Sequence, residues 1–202
     1  TESEAKRAPR PPFTTSTLQQ TASTRLGFAP SRTMSAAQKL YEAGHITYMR
    51  TDSVAMSQVA QKQIIALLHD EYEKEYVQPR TYKTKSKSAQ EAHEAIRPTN
   101  AGKRTAGTTA DQKALYELIW KRAIASQMSD AKTKRTKILA NIKDAKEKDT
   151  IPDFKINGSR VIFDGWLSVD PGARREDVEV PHLAPGDPLT LNELTKEAKQ
   201  TQ

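Results

Sequence analysis

Residues 44–53 read Gly-His-Ile-Thr-Tyr-Met-Arg-Thr-Asp-Ser (GHITYMRTDS), and the character of the chain changes across them. Before Gly44, Met34, Ala37, Leu40 and Tyr41 recur at the spacing of one helical face, and the glycine supplies a stop. After it, Ile46, Thr47, Tyr48 and Thr51 favour an extended backbone, because β-branched and aromatic side chains suit a pleated surface. Helical spacing resumes from about Ser57 to Tyr72, with Met56, Ala60, Ile64, Leu67, Leu68 and Tyr72 on one face. The ten residues are therefore an extended passage between helices.

Working outward, residues 1–12 (TESEAKRAPRPP) are charged and proline-rich and predict an extended lead-in. Ser16 or Thr17 caps a first helix, with Gln19 or Gln20 completing a capping box, and Gly27 ends it. A second helix is expected over about 35–43. Two such helices in a basic region also permit a helix-turn-helix reading. Residues 77–88 form a basic loop holding Lys83, Lys85 and Lys87. Ser88 and Glu91 open a short helix that Pro98 ends, which puts Arg97 at its exit. Thr108 or Thr109 caps a helix running to about Met128, with Trp120 in the core. Strand character follows at Ile138, Ala140 and Ile142. Asn157-Gly158 between Phe154, Ile156 and Val161, Phe163 predicts a hairpin turn. Trp166 is expected to anchor this β part. The fold class is α+β: a lead-in strand (1–12), a mainly helical domain carrying Tyr48 (13–134) and a smaller β-rich segment (135–202).

Composition narrows the function. The 202 residues carry 32 Lys and Arg against 25 Asp and Glu, a formal charge of +7. Residues 1–134 hold 21 basic and 13 acidic side chains, and residues 135–202 hold 11 and 12. The helical part owns the positive balance, which points to a polyanionic partner. No cysteine is present, which excludes thiol catalysis, disulfides and Cys-ligated zinc. No run of about 18 apolar residues and no signal-peptide core occur, so a soluble cytoplasmic protein without membrane association is expected.

In an extended segment, residues two apart share a face, which places Tyr48, Arg50 and Asp52 side by side. A phenol near pKa 10 needs positive charge or a proton acceptor to become a nucleophile. Arg50 supplies that charge and a fork suited to phosphate oxygens, and Asp52 is expected to fix the guanidinium. Tyrosine attack on a phosphodiester conserves bond energy in a phosphotyrosine link. An ordinary sheet edge with an ion pair is the alternative. In the second cluster, Glu91 to Thr99, helical spacing puts His93 and Arg97 on one face, able to contact a phosphate together. Arginine at 97, where a zincin needs histidine, argues against zinc. The alternative there is a capped surface helix with Glu91 and Glu94 in solvent.

These segments resemble the type IA DNA topoisomerases. GHITYMRTDS (44–53) is similar to the family's active-site segment, and QEAHEAIRPT (90–99) to its second central motif. PPFTTSTLQQTASTRLGF (11–28), YELIWKRAIASQM (116–128) and FDGWLSV (163–169) are similar to flanking segments in the same order. ITYMRTDS with HEAIRPT resembles the bacterial topoisomerase I branch more than the topoisomerase III branch. The resemblance implies that Tyr48 attacks single-stranded DNA and takes the 5′ phosphate, that Arg50 stabilises the transition state, and that His93 positions DNA or relays a proton. Thr51, Asp52 and Arg97 are expected as supporting DNA contacts. From the residues alone, Lys83 and Lys85 are candidate phosphate contacts, with a solvated loop as the alternative that composition favours. The family's Mg²⁺ ligands lie in a Toprim domain with a D-x-D-x-E motif, which does not occur here. The expectation is an excised central piece, inactive alone, that binds no metal itself and works with the Toprim and remaining arch domains of its own polypeptide. Single-stranded DNA is the expected partner. A non-catalytic single-stranded DNA-binding module, or the topoisomerase core of a reverse gyrase, is the alternative; a tyrosine recombinase is disfavoured because Tyr48 lies early.

Overall fold

In the computed structural model, residues 1–83, 94–141 and 153–190 are described, together with 192, 193, 195 and 198. The elements are β1 (Glu2–Arg7), α1 (Thr15–Leu26), α2 (Pro30–Glu42), α3 (Gln58–Glu71), α4 (Ala110–Ala125), β2 (Ala131–Ala140) and β3 (Phe154–Phe163). Short 3₁₀ turns lie at Lys74–Tyr76, Gly165–Ser168 and Pro171–Ala173. This is the α+β mixture expected. The chain divides into two compact units. The larger takes 6–133 and 161–175, and the smaller takes 1–5, 134–160 and 176–202.

The larger unit is helical because its caps and apolar spacing agree. Thr14 caps α1 by accepting the Thr17 N–H, and the Thr17 hydroxyl accepts the Thr14 N–H at 2.9 Å. This box lies two or three residues earlier than expected. Gly27 closes the helix at φ +67°, a left-handed conformation that costs a glycine little. α2 begins earlier than its apolar pattern suggests, because Pro30 at the first turn is pre-set for helix and gives up no needed donor. Ser57 caps α3 and Thr109 caps α4 through the N–H groups of Ala60 and Gln112. α2 packs on α1 and α4. Their buried faces form one core with Phe13, Leu18, Leu40, Ile64, Leu68, Leu115, Tyr116 and Ile119. Trp120 is buried there, and its indole N–H donates to the Ala101 carbonyl at 2.7 Å. Trp166 also belongs to this helical core rather than to the β part, and donates to the Arg7 carbonyl at 2.8 Å. Gly165 beside it has φ +48°, and a Cβ there would stand 2.6 Å from the Ser129 carbonyl oxygen.

Two expected elements differ. Residues 94–98 are extended rather than helical. Ile96 bridges Phe13 and Pro98 bridges Ile46, and the ban on helix before proline favours this arrangement. The rest of that expected helix lies outside the described residues. The second difference is Asn157-Gly158, which sits inside β3 and makes no hairpin turn. Its glycine answers to close approach: a Cβ on Gly158 would lie 2.6 Å from Val180 Cγ2.

The smaller unit holds the pairing that orders the strands. The sheet order is β1-β2-β3. Thr1 and Lys137 exchange both backbone hydrogen bonds at 2.8 Å, the pattern of an antiparallel pair. Ser159 and Val178 pair in the same way. Lys134 and Glu2 add an ion pair at 2.7 Å.

Candidate active site

The 44–53 segment enters from α2 through Gly44, at φ +73°. Beyond it, burial alternates. Met49, Thr51 and Ser53 are buried, while Tyr48, Arg50 and Asp52 are exposed. The period of two therefore holds, although no regular strand forms.

Thr47 within the segment and Thr15 and Thr99 from distant ones fix this backbone. The Thr15 hydroxyl donates to the Met49 carbonyl at 2.8 Å and accepts the Thr51 N–H at 2.9 Å, while the Thr15 N–H donates to the Thr51 carbonyl. Thr47 is held on the other side: its N–H donates to the Arg97 carbonyl, and its hydroxyl donates to the Ala95 carbonyl and accepts the Arg97 N–H. Thr99 donates its hydroxyl to the Gly44 carbonyl at 2.7 Å and its N–H to that of His45. Met49, 1% exposed, plugs the segment into the core. Each bond adds about 1 kcal/mol, so together they hold the segment firmly.

The outward side chains are free by contrast. Tyr48 is 45% exposed, and its ring meets the edge of Tyr41 at 5.3 Å between centroids. Among the described residues, no hydrogen bond or ion pair engages the Tyr48 hydroxyl, the Arg50 guanidinium or the Asp52 carboxylate. The expected Asp52–Arg50 pair does not form. Side chains two apart on an extended segment share a face without having to meet. Arg50 and Asp52 instead border a shallow cleft with Thr14, Thr15, Ser16 and Thr51 at the N-terminus of α1, where the helix dipole favours an anion.

The other site residues fall in different places. Arg97 is occupied: its guanidinium binds the Glu94 carboxylate and, through Nη1, donates to the Pro98 carbonyl at 3.0 Å. Glu94, expected in solvent as the alternative reading, also accepts the Ser57 N–H at 2.7 Å. Burial opposes its charge, but Ser57 and Arg97 outweigh burial and hold the carboxyl below its ordinary range. Thr51 is buried, and its hydroxyl accepts the Ser53 N–H at 3.0 Å. Lys83 is exposed. His93 and Lys85 lie outside the described residues. Among the described residues, no three His, Asp or Glu side chains converge as metal ligands. No described helix is long and apolar enough to cross a membrane.

Sequence reasoning missed two features. Tyr41 was read as part of an apolar helix face, yet it is 40% exposed against Tyr48; its neighbourhood to the Gly44 turn was the available signal. The threonine stitches had no signal beyond threonine abundance, because their partners are far apart in sequence.

With this geometry in view, comparison with known proteins is specific. A family model described as DNA topoisomerase matches residues 1–202. The chain is 45% identical over 210 residues to DNA topoisomerase 1 of Streptomyces coelicolor, covering 98% of this chain and 22% of that protein. It is 44% identical over 194 residues to DNA topoisomerase 1 of Escherichia coli, covering 93% and 22%. The solved structure of full-length topoisomerase I from Thermotoga maritima superposes with a TM-score of 0.76 at 38% identity, covering 93% of this chain and 31% of that one. The chain thus spans about a fifth of the length of these curated relatives.

Proposed function

Because the chain belongs to the DNA topoisomerase family, we propose that it carries the strand-cleaving tyrosine of a type IA enzyme that relaxes negatively supercoiled DNA in the cytoplasm. The observation that carries this reading is the exposed, unpartnered Tyr48 hydroxyl on a backbone bonded on both sides. A nucleophile must be positioned without being consumed by its own protein.

In the proposed step, the Tyr48 oxygen attacks the phosphorus of a single-stranded phosphodiester. A new P–O bond forms to the 5′ phosphate, the bond to the 3′ oxygen breaks, and that oxygen takes a proton as the phenol loses one. Reversal reseals the strand. Arg50 binds the non-bridging oxygens as their charge grows. His93 positions the strand or relays the proton. Asp52 and Thr51 shape the cleft beside α1, and Lys83 and Lys85 hold flanking phosphates. Arg97 acts through Glu94 and the 94–98 backbone, which supports Thr47.

In the complete enzyme, Mg²⁺ would supply positive charge to offset that of the DNA. The described residues of this chain do not fit it, and we assign its ligands to a Toprim domain of the same polypeptide. On this reading, the 202 residues alone form no covalent adduct with single-stranded DNA and Mg²⁺; an adduct on Tyr48 at a useful rate would refute that part. In the full-length protein, Tyr48→Phe is expected to lower relaxation at least about 10⁴-fold. Intact relaxation would leave a non-catalytic binding role for this segment.

A further inference from the structure

A second cavity of the larger unit, about 440 Å³, opens between the Arg7–Pro12 lead-in, α1, α4 and the turn after Trp166. Arg7, Arg10, Arg25 and Arg122 line it, with Asp170 as the single carboxylate in its wall. Arg25 spends that carboxylate through two bonds of 2.7 Å, so the pair is close to neutral. The other three guanidinium groups face no acid of their own. Arg122 lies 4.1 Å over the Phe13 ring, with only the Pro11 carbonyl at 3.5 Å as an acceptor. Arg7 lies 5.0 Å over the Trp166 ring and donates one N–H to the Ala173 carbonyl at 2.9 Å. Arg10 has no hydrogen bond or ion pair among the described residues.

Burial and the neighbouring like charges act on these groups together. Burial, reinforced by repulsion from Arg10 and Arg25, pushes Arg122 down to about 10. Burial and the charges of Arg175 and Arg10 lower Arg7 in the same direction. The aromatic faces orient the guanidinium planes but do not neutralise them. Threonine hydroxyls in the wall have already given their protons to helix carbonyls, as Thr21 does to Thr17 and Thr24 to Gln20, each at 2.8 Å. The donors left over are the arginine N–H groups and the Gln20 amide, so the cavity favours a ligand that accepts and carries negative charge.

We propose that this cavity is a phosphate-group site, held by Arg7, Arg10 and Arg122 with planar forks matched to phosphate oxygens. It shares no lining residue with the cleft bordered by Arg50 and Asp52 and does not depend on the role assigned to Tyr48. The phosphate is either that of a nucleic-acid strand or a free one.

The test uses the 202-residue chain at constant ionic strength. Inorganic phosphate is titrated calorimetrically against a chloride control, into wild type, R10Q and R122K. Arg10 has no described partner to lose, so R10Q keeps the fold, and R122K keeps the charge and stem while removing the fork. Wild type is expected to bind phosphate, with affinity about tenfold weaker in either variant and unchanged in Tyr48→Phe. A short single-stranded oligonucleotide then separates the sources. A parallel tenfold loss in R10Q, with the salt slope reduced by about one, identifies a strand phosphate. Loss confined to inorganic phosphate identifies a free one. Phosphate that binds no better than chloride, or variants that bind like wild type, would overturn the site.

Discussion

Around Tyr48 the backbone is bonded and the side chains are left free, whereas around Arg80 the side chains themselves make the bonds. The Arg80 guanidinium donates to Gln78 at 2.8 Å, to Asp130 at 2.5 Å and to the Met128 carbonyl. Gln127, fully buried, accepts from Arg80 N and Gln61 Nε2 and donates to the Arg80 carbonyl, each at 3.0 Å. Tyr82 closes the cluster with a bond to the Ser126 carbonyl. Both regions are polar and lie in the larger unit, yet they use polarity for opposite ends. Satisfied side chains lock the 76–83 segment to the end of α4. Unsatisfied ones at 48–52 remain available to a ligand.

This contrast is open to attack by mutation. The largest stability effect is expected at Arg80→Met, which leaves Asp130 and the Met128 carbonyl without their donor. Urea unfolding should show a loss of about 3 kcal/mol. Tyr48→Phe in the same assay should stay within about 0.5 kcal/mol of wild type, because its hydroxyl has no partner to lose. A comparable loss from both would erase the distinction. Next comes Thr15→Val, which removes the hydroxyl bridging Met49 and Thr51. The expected cost is about 1–2 kcal/mol, with a roughly tenfold drop in cleavage by full-length protein and recovery in Thr15→Ser. Full cleavage in the valine variant would show that the stitch is not needed to place Tyr48.

Below Thr15→Val comes Glu94→Gln. Its folded carboxyl lies below the ordinary 4.5, so its stabilising contribution is present above that pH and is lost as pH falls through the lowered value. Wild type should exceed the variant by about 1 kcal/mol at pH 7, with the gap closing as pH falls below the ordinary 4.5 and through the lowered value. A gap constant with pH would mean that shape, not charge, holds the 94–98 segment.

The two regions were also unequally legible in the sequence. The Tyr48 row follows from period two within one segment, and the helices follow from local caps such as Ser57 and Thr109. The Arg80 cluster draws on residues 61, 78, 80, 127 and 130, which no local pattern links. The same scattering hid the arginine cavity. Asn157-Gly158 misled for another reason: a glycine that permits a turn also permits close packing, and only the position of Val180 distinguishes them. Residues 94–98 carried helix-compatible spacing, but bridges to Phe13 and Ile46 outweighed it. Propensity is a weak term beside such long-range pairing.

Trp166, Leu167 and Val169 belong to the same core as Phe13 and Leu18, although residues 134–160 of the smaller unit intervene in the chain. During synthesis, roughly ten to thirty seconds separate the first of these residues from the last at ordinary elongation rates. The nascent helices must wait that long with an open seam where the indole will close it. Chain termination before residue 166 would therefore release a helical cluster with its apolar interior partly uncovered, a natural substrate for chaperones and proteases.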